Sequence, residues 1–177
     1  MKLTRSGCVV PDTSEIKKEL TVRPIVNADF GVAPPSFKVF RKAKSGLCVP
    51  RYYAEEKFGK VVEDIRPKPE KIKISFKGKL RDETHQNEAL SKAIEAGHGI
   101  LSLPCGFGKT TVSLAIACKL GYRTMIVVHK EFLANQWKER IQQFCPGASI
   151  GIVRQNKKEV NCDFVIAMLQ SLSLKEY

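Results

Sequence analysis

In the C-terminal part of the chain, continuous apolar runs alternate with apolar residues at helical spacing. Ile100 to Leu103, Thr124 to Val128, Ser149 to Val153 and Phe164 to Ala167 are short runs bounded by turn residues, the pattern of strands buried on both faces. Between them, Leu80, Ala89, Leu90, Ala93 and Ile94 predict a helix over 80–96. Val112, Leu114, Ala115, Ile116 and Ala117 predict one over 111–120, and Phe132, Leu133, Trp137 and Ile141 one over 131–144. Gly97, Gly121 and Cys145-Pro146-Gly147 supply the stops. Strands alternating with helices predict an α/β fold, a parallel sheet with flanking helices. Trp137, the only tryptophan, is read as an anchor between helix and sheet.

Before residue 80 the pattern is different. Thr13-Ser14-Glu15 opens a short capped helix ending at Leu20. From Leu20 to Phe40, Pro24, Pro34 and Pro35 interrupt short apolar pieces and predict strands and loops. Ser45-Gly46 reads as the turn of a hairpin between Lys38 to Lys42 and Leu47 to Tyr52. Ile72, Ile74 and Phe76 alternate with Lys71, Lys73, Ser75 and Lys77, the pattern of a half-exposed strand with a basic face. The change of character near Lys77 to Lys79 predicts a small β-rich basic domain over 1–79 and an α/β domain over 80–177.

Charge sharpens this division. The net charge of the 177 residues is +12. Residues 1–79 hold 18 Lys+Arg against 9 Asp+Glu, and residues 80–177 hold 12 against 9. A basic N-terminal half suits a polyanionic partner, with a merely solvated basic surface as the bland alternative. Between Phe37 and Gly59 aromatics stand among cations, as on surfaces that stack bases. Taken singly, Phe37, Phe40, Tyr52 and Tyr53 read first as the core of a small β-rich domain, whose basic face can still touch nucleic acid. Six dispersed cysteines without a C-x-x-C pair and three dispersed histidines suggest no metal site. The absence of a long apolar run or signal-peptide pattern predicts a soluble, intracellular chain.

The chemistry concentrates in residues 101–111, LSLPCGFGKTT, a predicted strand running through a glycine turn into a helix. Gly106 and Gly108 let the backbone turn tightly and aim N–H groups at phosphate oxygens, with Pro104, Cys105, Phe107 and Thr111 completing the loop. Lys109 would reach the β- and γ-phosphates, and the Thr110 hydroxyl would ligate Mg²⁺. Leu103 stands where the strict template has glycine. The competing reading is a structural glycine turn. His129 and Lys130 follow a predicted strand, where open α/β sheets place ligand contacts. Gln86 could donate to and accept from an adenine edge, or be a surface glutamine on an amphipathic helix.

Taken together, residues 80–177 resemble the first RecA-like lobe of superfamily 2 helicases, especially those of DNA repair, transcription factors and large nucleocytoplasmic DNA viruses. LRDETHQNEAL (80–90) resembles the adenine-sensing segment, LPCGFGKT (103–110) motif I, IVVHKEFLANQW (126–137) motif Ia, and VIAMLQSLS (165–173) the strand and loop that contact the tracking strand. Leu103 is common in this branch, whereas Asp82, Glu83 and Thr84 lengthen the usual spacing between the LR pair and Gln86. The N-terminal LTVRP, PSFKVF, VPRYY and FG segments resemble what precedes the core in the large-virus proteins, where the resemblance implies DNA engagement. It also implies ATP and Mg²⁺ as cofactors, nucleic acid (DNA before RNA) as partner, and backbone contacts by His129, Lys130, Gln170 and Ser171. A viral protein would reside in host cytoplasm or virion.

Hydrolysis in such proteins needs an acidic pair after an apolar strand, and none stands at a suitable position. Asp163 precedes its strand, and Glu63-Asp64 and Asp82-Glu83 lie upstream of the loop. The expectation is therefore an N-terminal fragment of an ATP-dependent helicase that binds nucleotide without turning it over. A non-catalytic nucleic-acid-binding module with a vestigial nucleotide site is the alternative. A P-loop kinase would need an acceptor site or lid that the sequence does not display.

Overall fold

The computed structural model describes residues 1–25 and 34–174. Part of the strand-and-loop prediction for Leu20 to Phe40 therefore lies outside the described residues. The chain forms two compact units, Met1–Lys68 and Pro69–Tyr177.

In the first unit β1 (Lys2–Thr4) and β2 (Gly7–Val10) form a tight antiparallel hairpin. Thr13 then caps α1 (Ser14–Glu19), its side chain accepting from the Ile16 N–H, as the sequence predicts. A two-stranded ribbon follows from β3 (Thr21–Val22) and β4 (Phe37–Lys38). Next come β5 (Arg41–Ala43), β6 (Gly46–Val49), α2 (Arg51–Phe58) and β7 (Glu63–Asp64). The main sheet has the order β5-β6-β2-β1-β7. Its core is Leu3, Cys8, Val10, Ile16, Leu47 and Val49, with Ala54 of α2 fully enclosed.

The expected hairpin exists in shifted form. Ala43 pairs with Gly46, so the turn is Lys44-Ser45, one residue earlier than expected. Its second strand ends at Val49, and the chain enters α2 after Pro50, whose fixed φ suits a helix start. Tyr52 and Tyr53 are therefore helical. Of the four aromatics, Phe40 and Tyr53 pack on the core as the first reading expects, while Phe37 and Tyr52 remain half exposed, at 53% and 50%.

In the second unit residues 69–79 run extended and attach to the α/β layer. The Ile72 N–H donates to Gly121 O at 3.0 Å and the Lys77 N–H to Phe144 O at 2.7 Å. Phe76 packs on Phe144 with ring centroids 5.7 Å apart. Ile74 and Phe76 join the second unit's core, so this segment packs C-terminal to the division at Lys68/Pro69. A single bridge, Lys71 with Tyr122, takes the place of the expected strand ladder.

A short 3₁₀ turn, Asp82–Thr84, precedes α3 (Gln86–Ala96), and α4 (Lys109–Leu120) leads to β8 (Thr124–Val128). The chain continues through α5 (Glu131–Phe144), β9 (Ile150–Arg154), β10 (Lys157–Lys158), β11 (Phe164–Met168) and α6 (Leu169–Leu174). β11 lies parallel between β8 and β9, while β10 turns back antiparallel on β9. Leu114, Ile141, Phe164 and Ile166 fill the interior between sheet and helices, and Trp137 packs against them as expected. The α/β fold read from the periodicity is present, with parallel strands at its centre.

Three boundaries differ from the expectation. The helix predicted over 80–96 begins only at Gln86, because His85 adopts a left-handed conformation with φ 57° that α-helix cannot continue through. Residues 100–103 form no strand, and Ile100 is 96% exposed. A strand needs a ladder partner, and among the described residues none hydrogen-bonds this run. Finally, β8 is an edge strand with Met125 and Val127 exposed on one face, not a strand buried on both.

Candidate functional site

The phosphate-loop candidates lie together at the start of α4. Leu103 and Pro104 bring the chain into a turn over Cys105–Phe107, where the Phe107 N–H approaches Pro104 O at 3.4 Å. Gly106 (φ 76°) and Gly108 (φ 90°) are both left-handed, the region an L side chain resists. Gly108 is also crowded, since a Cβ there would stand 2.8 Å from Gln86 Nε2. It serves as N-cap of α4 without a side-chain acceptor, which leaves the first-turn N–H groups and the positive end of the helix dipole to an anion.

Lys109 is exposed, and its Nζ donates to Pro104 O at 2.7 Å. That contact holds the ammonium across the loop. Thr110 and Thr111 follow in the first helical turn, both half-buried, and Val112 is already in the core. The loop is thus anchored by the apolar face of α4 while its polar side stays accessible. Cys105, at its tip, is exposed.

Gln86 is 2% exposed, the sole buried polar side chain among the described residues. Its Nε2 donates to Phe107 O at 2.5 Å and its Oε1 accepts from the Arg81 N–H at 2.8 Å. Arg81, which sequence reasoning did not single out by itself, donates through Nη2 to Gly106 O at 3.2 Å and Phe107 O at 3.4 Å. Together they fasten the segment before α3 to the loop carbonyls. One N–H and one lone pair of Gln86 remain for a ligand, fewer than a free amide would offer.

His129 and Lys130 follow β8, and Gln170 and Ser171 lie in the first turn of α6, directly after β11. Because β8 and β11 are parallel neighbours, their carboxyl ends coincide. Gln170 Nε2 donates to His129 O at 2.7 Å, and Ser171 Oγ accepts from the Gln155 N–H at 3.0 Å. Arg154, at the end of β9, pairs with Glu131 at the same sheet edge. Its position after a predicted strand was the signal that could have found it.

The Thr110 hydroxyl in the first turn of α4 is an oxygen ligand of the kind that a magnesium ion carried by nucleotide takes. Among the described residues no cluster of three His, Cys, Asp or Glu side chains forms a site for a metal ion. No described helix is long and apolar enough to cross a membrane.

With this geometry in view, comparison with known proteins is direct. The family described as "Type III restriction enzyme, res subunit" matches residues 50–177. A protein of Acanthamoeba polyphaga mimivirus, provisionally named an ATP-dependent RNA helicase, is 31% identical over 192 aligned positions, 99% of this chain and 37% of that protein. A provisionally named helicase of Invertebrate iridescent virus 6 is 38% identical over 58% of this chain and 25% of its own length. The DNA 3′-5′ translocase XPB2 of Sulfurisphaera tokodaii is 42% identical over 40% of this chain and 16% of its own. The chain therefore spans well under half of each of these relatives.

Proposed function

The chain belongs to the type III restriction enzyme res-subunit family, within the superfamily 2 helicases, and from that premise we propose that it is the ATP-binding part of a helicase or translocase. The observation that carries this reading is the loop itself: two left-handed glycines, an uncapped twelve-residue helix and an accessible lysine in one continuous segment.

In this reading the backbone of residues 104–108 and the N-terminus of α4 receive the α- and β-phosphates. Lys109 leaves Pro104 O for the γ-phosphate, and Thr110 holds Mg²⁺, which supplies charge neutralisation. Gln86 and Arg81 act first as positioning residues, holding Phe107 and Gly106 in place, with Gln86 reading the adenine edge through what its amide has left. His129, Lys130, Gln170 and Ser171 contact the sugar-phosphate backbone of a nucleic-acid strand, independent of sequence. The relatives' names include both RNA and DNA activities, and DNA is the favoured partner because several of the relatives are named as XPB-type DNA translocases or helicases.

Phosphoryl transfer needs acidic metal-positioning residues that these 177 residues do not place after a strand, so the chain alone binds nucleotide without appreciable turnover. The test is phosphate release by the 177-residue chain with and without single-stranded DNA and RNA. Background release is expected in every arm. DNA-stimulated release that disappears in Lys109→Ala would overturn the division between binding and hydrolysis.

A further inference from the structure

We propose that a cavity of about 450 Å³ in the first unit is a docking site for the phosphodiester backbone of a nucleic-acid strand, held by Arg5, Lys38 and Arg41. It rests on the proposed nucleic-acid partner and adds a contact in a unit to which neither the loop nor the sheet-edge residues belong.

The sheet register explains why residues so far apart in sequence line one cavity. Thr4 pairs with Gly7, so Arg5 and Ser6 form the tip of the β1–β2 hairpin. Cys8 pairs with Val49, and Arg41 with Cys48. The hairpin tip, the start of β5 and the end of β6 therefore fall at the same end of the sheet. The link from β4 to β5, Lys38 to Arg41, closes the wall. Buried Cys48 and Val49, 8% and 1% exposed, lie among the lining residues and give the site a firm base.

The charge arrangement distinguishes this cavity from the rest of the basic unit. Arg5, Lys38 and Arg41 are exposed, and no carboxylate among the described residues pairs with any of them. No carboxylate lines the cavity either. Several cations elsewhere in the same unit are neutralised, Lys2 by Glu63 at 2.9 Å, Arg51 by Glu55 at 2.9 Å, Lys57 by Glu19 at 2.6 Å and Arg66 by Asp64 at 2.7 Å, and what sets the cavity apart is that three unneutralised cations converge on it. Three like charges in one concave site focus a positive potential that an anion relieves. Pro50, also in the wall, leaves α2 without a side-chain cap, and the first turn of α2 holds no acidic residue. Its dipole reinforces the same sign.

A strand of phosphates fits better than a single small anion because the cations come from two separate chain segments across an open cavity. Phe40, packed on the core of the unit, also lines the wall and gives the cavity an apolar side against which a sugar or base can rest.

The test uses the full 177-residue chain and fluorescein-labelled oligothymidylate, followed by fluorescence anisotropy across a salt series. Arg5→Gln/Lys38→Gln/Arg41→Gln is expected to weaken binding about tenfold or more. It should also flatten the slope of log affinity against log salt by about 2, at roughly 0.7 per phosphate contact on single strands. Lys18→Gln/Lys44→Gln/Lys60→Gln, three exposed cations of the same unit outside the cavity, is expected to change affinity less than about twofold. Equal weakening by the two triple variants, or none by the first, overturns the site. Displacement of the oligonucleotide by inorganic phosphate or a phosphoserine peptide at comparable concentration also overturns it, marking a small-anion or phosphopeptide pocket. Binding of a fluorescent ATP analogue, measured on the same samples, is expected to be unchanged in both variants. Its loss in wild type would sink the helicase reading, and a normal value with no oligonucleotide effect would sink only this cavity. Single substitutions at Arg5 and Arg41 serve if the triple variant unfolds, each expected to flatten the slope by about 0.7.

Discussion

The two proposed anion sites, one in each unit, are built by opposite means. In the second, the phosphate loop uses backbone: Gly106 and Gly108 free the chain to curl, the N-terminus of α4 supplies N–H groups, and a single lysine adds full charge. In the first, the cavity at the sheet end uses side chains: Arg5, Lys38 and Arg41 converge on strands and turns whose backbone is already paired. Backbone donors are fixed in direction and suit one phosphate geometry, whereas long cationic side chains adapt to many. The proposed nucleotide site and the proposed polyanion site thus draw on different parts of the chain.

The largest expected effect concerns the scaffold of the backbone-built site. Leu114, 1% exposed at the centre of the second core, should cost about 2–5 kcal/mol when replaced by alanine. Urea unfolding monitored through Trp137, in the second unit, should show that loss. A Leu114→Ala chain with unchanged midpoint would break the claim that α4 is held by its apolar face. Next, Gly108→Ala meets both a φ of 90° and a 2.8 Å approach to Gln86 Nε2. Binding of a fluorescent ATP analogue should fall about 100-fold while oligonucleotide binding changes little, since the first unit is untouched. Equal loss of both would erase the contrast between the sites.

Gln86→Ala removes the bridge between Arg81 and Phe107 and should weaken nucleotide binding about tenfold, consistent with about 1.5 kcal/mol for lost buried hydrogen bonds. Adenine and guanine nucleotides should suffer alike if positioning dominates, and adenine more if direct reading does. The smallest effect lies in the first unit. Arg66 donates to Asp64 from both its guanidinium and its backbone N–H, and these bonds hold the carboxyl down at about 2. Because the folded value lies below the unfolded one of about 3.9, the associated stability is present above about pH 4 and fades as pH falls toward 2. A carboxyl-carbon NMR titration should show Asp64 as the late-protonating aspartate, and Arg66→Ala, which removes the guanidinium but keeps the backbone N–H, should raise it part of the way toward the ordinary range.

The same contrast explains what was legible in the sequence. The loop from Leu103 to Thr111 is contiguous, so its glycines, lysine and threonine announce themselves by spacing. Helices with an apolar face, such as α4 and α5, are equally plain in their periodicity. Gln86 and Arg81 reach the loop from 21 and 25 residues away, a juxtaposition that spacing does not encode. The start of α3 depended on the left-handed His85, invisible in a helical pattern that begins at Leu80. In α2 the only buried residue is Ala54, so no apolar stripe marked Arg51–Phe58 as helical against a neighbouring hairpin signal. Ile100 to Leu103 had the composition of a strand, yet pairing is a property of neighbours. Likewise the basic cavity joins Arg5 to Lys38 and Arg41 only through the register of four strands.

The central claim is that the 177 residues already hold a nucleotide through the loop at the start of α4. Isothermal titration of the chain with ATP and Mg²⁺, beside Lys109→Ala, tests it most directly. A saturable one-to-one isotherm that weakens about 10- to 100-fold in the variant is predicted, the loss matching about 1.5–3 kcal/mol for a charge-assisted contact. Identical isotherms for the two chains, or no binding by either, would contradict it.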